Sequence, residues 1–388
     1  MKLLINTESL LPPITGIGTY TLNLLKQFDA NYNFEAIECF SGHRFTTASK
    51  AIGQSEHAYP SCTPRKTADR INKILRGSIL AYRAREALRN SLLRLKSSQY
   101  KDFVYHEPNF ILKQHKGPAV ATIHDLSFVS FPQYHPAKRV AWLSSKLPQS
   151  LARADMLITD SEQVRRELIE LYEVDENKVR TIHLGAASCY VPQNAIQTAE
   201  TLTRYGLKHG QYLLFVGTLE PRKGVDTLLE SWANLPPHLK NAFPLVLAGA
   251  PGWGNKNLQD RIDTLRNKDE LKHLSFVPAA DLPALYAGAT VFVYPSHYEG
   301  FGLPVLEAMS CGIPIICTAD TSMSEVTGEH ALHIQAGNAE QLTEQICHIL
   351  ENDAVRISLS TAGLIRAQDF SWGKCARETA AIYKTIGS

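Results

Sequence analysis

The chain predicts an α/β protein made of two doubly wound, largely parallel sheets, and three observations carry that reading. Residues 212–216, 245–248 and 291–294 are apolar throughout instead of alternating, as strands covered on both faces are. Helical patterns separate such runs at the interval of βαβ units. The 388 residues also exceed the size at which one core stops growing, so two domains are expected.

In order, residues 3–5 read as a first strand, and the apolar run there is too short for a signal peptide. Residues 12–19, with Gly16 and Gly18, form a loop leading to a helix over 20–28. Residues 103–105 and 119–123 are further strands, the second ending in His124-Asp125. Residues 156–159 precede Asp160-Ser161, an N-cap for a helix over 162–172. Beyond 182–185 the pattern loosens, and 192–204 is polar and irregular, the best linker. The first domain is therefore placed at 1–190 and the second at 205–371.

The second half restarts with the 212–216 strand and the loop Gly217-Thr-Leu-Glu-Pro-Arg222-Lys223-Gly224. A helix over 225–232, the 245–248 strand with a glycine-rich exit at 249–254, and strands over 274–277, 291–294 and 313–318 follow. The last helix lies near 374–386. No internal repeat or low-complexity tract is visible, and no stretch is long enough to span a bilayer.

Net charge is +2, with 44% hydrophobic and 20% charged residues, an ordinary globular composition. The charge is unevenly spread: residues 65–101 hold eleven Lys/Arg against Asp69 and Glu86. Ile71, Leu75, Ile79, Tyr82, Leu88, Leu92 and Leu95 recur there at near-helical spacing, giving a basic amphipathic segment suited to an anionic membrane surface or to a solvated helix face. Nucleic acid is the poorer partner, since no recognition module accompanies the charge. Seven cysteines, odd in number and without a Cys-x-x-Cys pair, read as reduced thiols of a cytoplasmic protein.

The chemistry concentrates in Tyr294-Pro-Ser296-His-Tyr-Glu299-Gly300-Phe301-Gly302-Leu303-Pro-Val-Leu-Glu307, where seven residues separate two carboxylates across a glycine-rich turn that opens a helix. Gly300 and Gly302 permit a tight loop whose N–H groups approach a ligand closely, and the helix N-terminus favours a phosphate. Arg222 and Lys223 follow a strand-to-loop turn, where a forked guanidinium and a point cation can hold a diphosphate. His124 sits at the carboxyl end of a buried strand, the edge where open α/β sheets place ligands. Asp125 could orient its ring or cap the next turn.

With the trailing Cys311-Gly-Ile-Pro-Ile, this segment resembles the nucleotide-binding signature of retaining glycosyltransferases of family 4, which have the GT-B fold: two Rossmann-like domains facing across a cleft. A sugar-nucleotide donor site of Gly217, Val277, Ser296, Gly300, Phe301, Gly302, Leu303 and Glu307 is expected with it, and Gly16 and Gly18, placed after the first strand, would cradle the donor diphosphate or the acceptor. Catalytic roles fall by the same resemblance to His124, Arg222, Lys223 and Glu299, with His124 bonding the transferred sugar, Glu299 the sugar hydroxyls and Glu307 the ribose. It further implies a terminal helix over 372–388 crossing back onto the first domain, a nucleobase near Val277 and Pro278, and no cofactor beyond the donor.

No Asp-x-Asp occurs, so no metal-diphosphate clamp is expected and the cationic pair takes that work. Thr122-Ile-His-Asp-Leu-Ser127 and Ser161-Glu-Gln-Val-Arg-Arg166 look most like bacterial mannosyl- or rhamnosyltransferases of surface polysaccharide synthesis, with GDP-mannose as donor, a glycan or lipid-linked acceptor, and a place at the inner face of the cytoplasmic membrane. UDP- or dTDP-sugars are alternative donors. Two rivals from other classes are a GT-B sugar-nucleotide 2-epimerase and a catalytically silent, membrane-bound assembly protein. Glu299 and Glu307 speak against the first, and their presence with Arg222 and Lys223 against the second.

Overall fold

The structure, a computed structural model, describes residues 1–12, 14–57, 79–252, 256–267 and 271–387, without the side chains of 57, 79–87, 256 and 267. It divides into two compact units, Met1–Leu184 with Trp372–Ser388, and Gly185–Ser371.

The first unit holds a seven-stranded sheet of β1 (Lys2–Asn6), β2 (Ala36–Phe40), β3 (Phe45–Thr47), β4 (Phe103–Glu107), β5 (Ala119–Ile123), β6 (Met156–Thr159) and β7 (Val179–Thr181). Their spatial order is β3-β2-β1-β4-β5-β6-β7. Every neighbour pair is parallel except β2–β3, an antiparallel edge that the sequence pattern did not reveal. All five residues of β5 are buried, which explains its unbroken apolar and small composition.

The first helix spans Gly16–Asn31, so Gly16 and Gly18 lie in its opening turn and not in the expected loop. A Cβ at Gly18 would meet the Ser9 carbonyl oxygen at 2.6 Å, so glycine there lets the helix settle on the turn before it. Tyr20, Leu24, Leu25 and Phe28 form its buried stripe. The last helix, Trp372–Ile386, packs in this same unit: Tyr383 meets Phe28 with ring centroids 5.7 Å apart, and its hydroxyl lies 2.6 Å from His106 Nδ1. Ser161 caps the helix Glu162–Tyr172, accepting from the Val164 N–H at 3.2 Å.

Much of the basic segment, residues 58–78, lies outside the described residues, and so do the side chains of Arg83 and Arg85. Ile79–Lys96 is helical. Ile71 and Leu75 and the side chains of Ile79 and Tyr82 lie outside the described residues; among the side chains described on this helix Leu93 is fully buried, whereas Leu88 and Leu95 are 61% and 79% exposed. Arg89 turns inward to pair with Glu8 at 2.5 Å.

The second unit holds β8 (Leu213–Val216), β9 (Leu245–Ala248), β10 (Leu271–Leu274), β11 (Val291–Tyr294), β12 (Ile315–Thr318) and β13 (Leu332–Ile334), in the order β10-β9-β8-β11-β12-β13, all pairings parallel. The strand expected over 274–277 lies earlier, leaving Val277 in the exit of β10. Residues 192–204 are not irregular either, since Ala195–Arg204 is a helix. Asn194 and Gln197 close a capping box at its start. Only Thr198 and Leu202 are buried on it, and so narrow a stripe leaves little periodicity to read.

Candidate active site

In the second unit the chain leaves β8 toward one side of the sheet and β11 toward the other, so the β8–β11 boundary is a topological switch point, where open α/β sheets bind ligands beyond the strand carboxyl ends. The loops carrying Arg222-Lys223 and Ser296 to Gly302 both leave there. Pro221–Lys223 forms a 3-10 turn ended by Gly224 at φ +68°, and a Cβ on Gly224 would overlap the Pro295 carbonyl oxygen at 1.9 Å. Glycine alone lets the cation-bearing turn lie against the β11 exit.

That approach brings three charges together. Lys223 Nζ donates to Glu299 Oε1 at 2.6 Å and to the Tyr294 hydroxyl at 2.7 Å, while an Arg222 guanidinium nitrogen lies 3.4 Å from Glu299 Oε2. The Ser296 hydroxyl donates to Glu299 Oε1 at 2.7 Å, and Arg222 also donates to Glu220 at 3.0 Å and to the Tyr298 carbonyl. Glu299 is only 8% exposed. Burial alone would raise its carboxyl, but the charges of Lys223 and Arg222 outweigh it and hold the group down at about 2. Burial lowers the Lys223 ammonium, against the pull of Glu299.

Gly302 caps the helix Leu303–Ser310 at φ +102°, a left-handed conformation that only glycine adopts without strain. Phe301 is buried with its ring 5.9 Å from Phe370, and Gly300 and Leu303 are half-buried beside it. Gly217 follows β8 with its N–H donated to the Ala248 carbonyl at 2.9 Å.

Glu307 has a separate set of partners. It accepts from the Tyr286 hydroxyl at 3.0 Å, with Tyr190 also bonded to it, and burial pushes its carboxyl up to about 7. Half-buried Val277 lies in its loop with neither cluster among its hydrogen-bond partners.

In the first unit, His124 follows β5 and is 7% exposed. Its Nδ1 lies 2.7 Å from Asp160 Oδ2 and its Nε2 2.7 Å from the Pro108 carbonyl oxygen. Asp125 accepts from the Ser127 N–H and hydroxyl at 3.0 and 2.6 Å, so it caps the next turn and Asp160 takes the ring. The sequence offers Asp160-Ser161 as a helix N-cap; Ser161 does the capping, and Asp160 meets the imidazole, a pairing the sequence does not mark.

A second group was not legible in the sequence. At the β1–β4 switch point of this unit, Asn6 and the Tyr105 hydroxyl both donate to Glu107, and Lys113 bridges Glu107 at 3.8 Å and Glu8 at 3.1 Å. Burial lifts the Glu107 carboxyl to about 7. Its residues come from distant segments, and no local motif marks them.

Two doubly wound sheets, with an Arg-Lys-Glu cluster at the switch point of the second, are the architecture that the resemblance to GT-B glycosyltransferases implies. Residues 14–187 match the family model described as Glycosyltransferase Family 4, and residues 204–364 match Glycosyl transferases group 1. The chain is 35% identical over 386 residues to the O-antigen chain mannosyltransferase B of Escherichia coli, with both chains covered completely. It is 28% identical to the serotype-specific mannosyltransferase WbdA of Escherichia coli over 228 residues, 58% of this chain and 28% of that one. Among solved structures, HepE of Anabaena in complex with UDP and glucose superposes with a TM-score of 0.73 over all of both chains at 16% identity. WaaG, a glycosyltransferase of lipopolysaccharide biosynthesis, gives 0.70 at 16% identity, with 98% of this chain and 99% of that one covered. The chain belongs to glycosyltransferase family 4 and has the GT-B fold.

Proposed function

We propose that this glycosyltransferase moves mannose from GDP-mannose to a hydroxyl of a glycan or lipid-linked acceptor during synthesis of a bacterial O-antigen, with retention of the anomeric configuration. The full-length likeness to an O-antigen chain mannosyltransferase carries this reading. The cluster at the β8–β11 switch point supports the donor half: Arg222 and Lys223 would hold the diphosphate and absorb its growing charge as the sugar leaves, and Glu299 would position the sugar hydroxyls. Glu307 would take the ribose, with Gly217, Val277, Ser296, Gly300, Phe301, Gly302 and Leu303 around the donor.

On this reading the departing phosphate oxygen accepts the acceptor's proton on the same face of the sugar, and no cofactor or divalent metal is needed because the cation pair serves the diphosphate. Thermal shifts with GDP, UDP, ADP and dTDP test the base. A ligand at a hundred times its dissociation constant stabilises by about 2.7 kcal/mol. Incubation with GDP-mannose, acceptor and a chelator, followed by NMR of the product anomer, tests the transfer. A shift with UDP alone, an inverted product or loss of activity on chelation would each overturn the corresponding part.

A place on the cytoplasmic face of an anionic membrane is the second element. It is favoured by exposed Leu88 and by a hollow of about 420 Å³ lined by His43, Arg44, Lys50 and Lys96 with Phe45, Leu92 and exposed Leu95.

A further inference from the structure

Both ring nitrogens of His124 face groups that accept hydrogen bonds: the Asp160 carboxylate at 2.7 Å from Nδ1 and the Pro108 carbonyl at 2.7 Å from Nε2. A neutral imidazole carries one N–H and, beside an ionised Asp160, would leave one of these contacts without a hydrogen. Asp160 is 3% exposed, and its other oxygen, Oδ1, is buried and accepts no hydrogen bond among the described residues. A carboxylate so placed needs a cation, and His124 is the group that touches it. We infer that Asp160 is a positioning residue that holds His124 as an imidazolium, with both N–H groups turned into the protein.

The surroundings agree from each side. Tyr20 of the first helix and Phe110 pack their rings against the imidazole, centroids 5.0 and 6.1 Å away in edge-to-face geometry. His106 on β4 is neutral, driven down to about 3 by burial and then by the His124 charge, so it adds no competing cation. Asp125 adds negative charge from the neighbouring position, and His183 and Cys375 face Asp160 from the β7 exit and the last helix. Burial opposes both charges, raising the Asp160 carboxyl against the pull of His124, yet the Asp160 carboxylate, its hydrogen bond and the Pro108 carbonyl together raise the ring above its ordinary value.

The consequence rests on the glycosyl transfer proposed above. His124 would serve the reaction as a fixed positive charge and a ring edge, not as the sugar hydrogen-bond partner that the family resemblance implies. Its charge would be lost as pH rises through the raised value, and with it the activity.

The test is nitrogen-15 NMR of the full-length, histidine-labelled protein at pH 8, with His124→Gln to assign the resonance and Asp160→Asn to remove the charge. A free histidine, with a value of about 6.5, is neutral there. Both His124 nitrogens should carry the imidazolium signature in the unaltered protein and lose it in Asp160→Asn. Transfer by that variant should fall roughly a hundredfold, with its basic limb moved to lower pH. A neutral His124 ring in the unaltered protein, or an imidazolium that survives Asp160→Asn, would overturn the inference. The NMR result needs no donor or acceptor, so failure of the assigned reaction is read separately, and it stands on the unaltered protein even if Asp160→Asn does not fold.

Discussion

Lys223 Nζ and Glu299 Oε1 are 2.6 Å apart although 76 positions separate them in the chain. They meet because β8 and β11 are neighbours in the sheet, so the loops leaving them share one edge. Each charge would be costly to bury alone, and together with Arg222 and its partner Glu220 they form a site whose charges compensate before any ligand arrives.

Replacing Arg222 or Lys223 by alanine should lower turnover roughly a hundredfold, the usual cost of one preorganised charge stabiliser. Arg222→Lys should rescue little, because a point charge cannot reach Glu299, Glu220 and the Tyr298 carbonyl at once. Steady-state kinetics decide this, and near-normal turnover in both alanine variants removes the diphosphate assignment.

Glu299→Gln should impair sugar transfer more than nucleotide affinity, and should cost about 3 kcal/mol of stability by leaving Lys223 and Arg222 without their acid. The folded carboxyl lies at about 2, below its ordinary 4.5, so its contribution is complete above pH 4.5 and is lost as pH falls toward 2. Urea unfolding at pH 7 and pH 3 should show the gap between protein and variant narrowing in acid. A gap independent of pH would mean that the pair adds nothing through charge.

Glu307 has the opposite sign. Its folded value of about 7 stands above the ordinary 4.5, so the native state holds the extra proton and the protein loses stability as pH rises between those values. Glu307→Gln should remove that decline and gain on the unaltered protein across the same window. Parallel stability curves for the two proteins would contradict the raised carboxyl.

At Gly224 any side chain meets the Pro295 carbonyl, since the Cβ position lies 1.9 Å from that oxygen at φ +68°. Gly224→Ala should destabilise by more than the roughly 1 kcal/mol that separates glycine from alanine in ordinary helix contexts, because backbone must move. It should also reduce turnover by displacing Lys223 from Glu299. A melting temperature within a degree or so of the unaltered protein would show that the turn has room to relax.

Sedimentation with anionic liposomes at low and high salt tests the membrane reading. Arg94 and Lys96 are exposed on the Ile79–Lys96 helix, whereas Arg89 is engaged by Glu8 and makes a poor probe. Arg94→Glu with Lys96→Glu should weaken binding, each basic side chain near such a surface contributing about 1 kcal/mol, and salt should weaken it further. Equal binding by both proteins at every salt concentration would leave the helix a solvated face.

Residues alone were enough for the α/β alternation, the two sheets, the turn of Arg222 and Lys223, and the Glu299 to Glu307 segment. Those features are written locally: buried parallel strands are apolar runs, and turns such as those at Gly224 and Gly302 need glycine whatever surrounds them. Where the signal was a thin stripe, as in Ala195–Arg204, it failed.

Partnership was decided only by the tertiary structure. Asp160 looked like a helix opener beside Ser161, yet the parallel register pairs Ile123 with Thr159, which sets the next residues, His124 and Asp160, side by side at the carboxyl edge. The acid that holds His124 is therefore chosen by strand order, and strand order is set by how whole helices and sheets bury their apolar faces, a sum over many distant contacts that no short segment records.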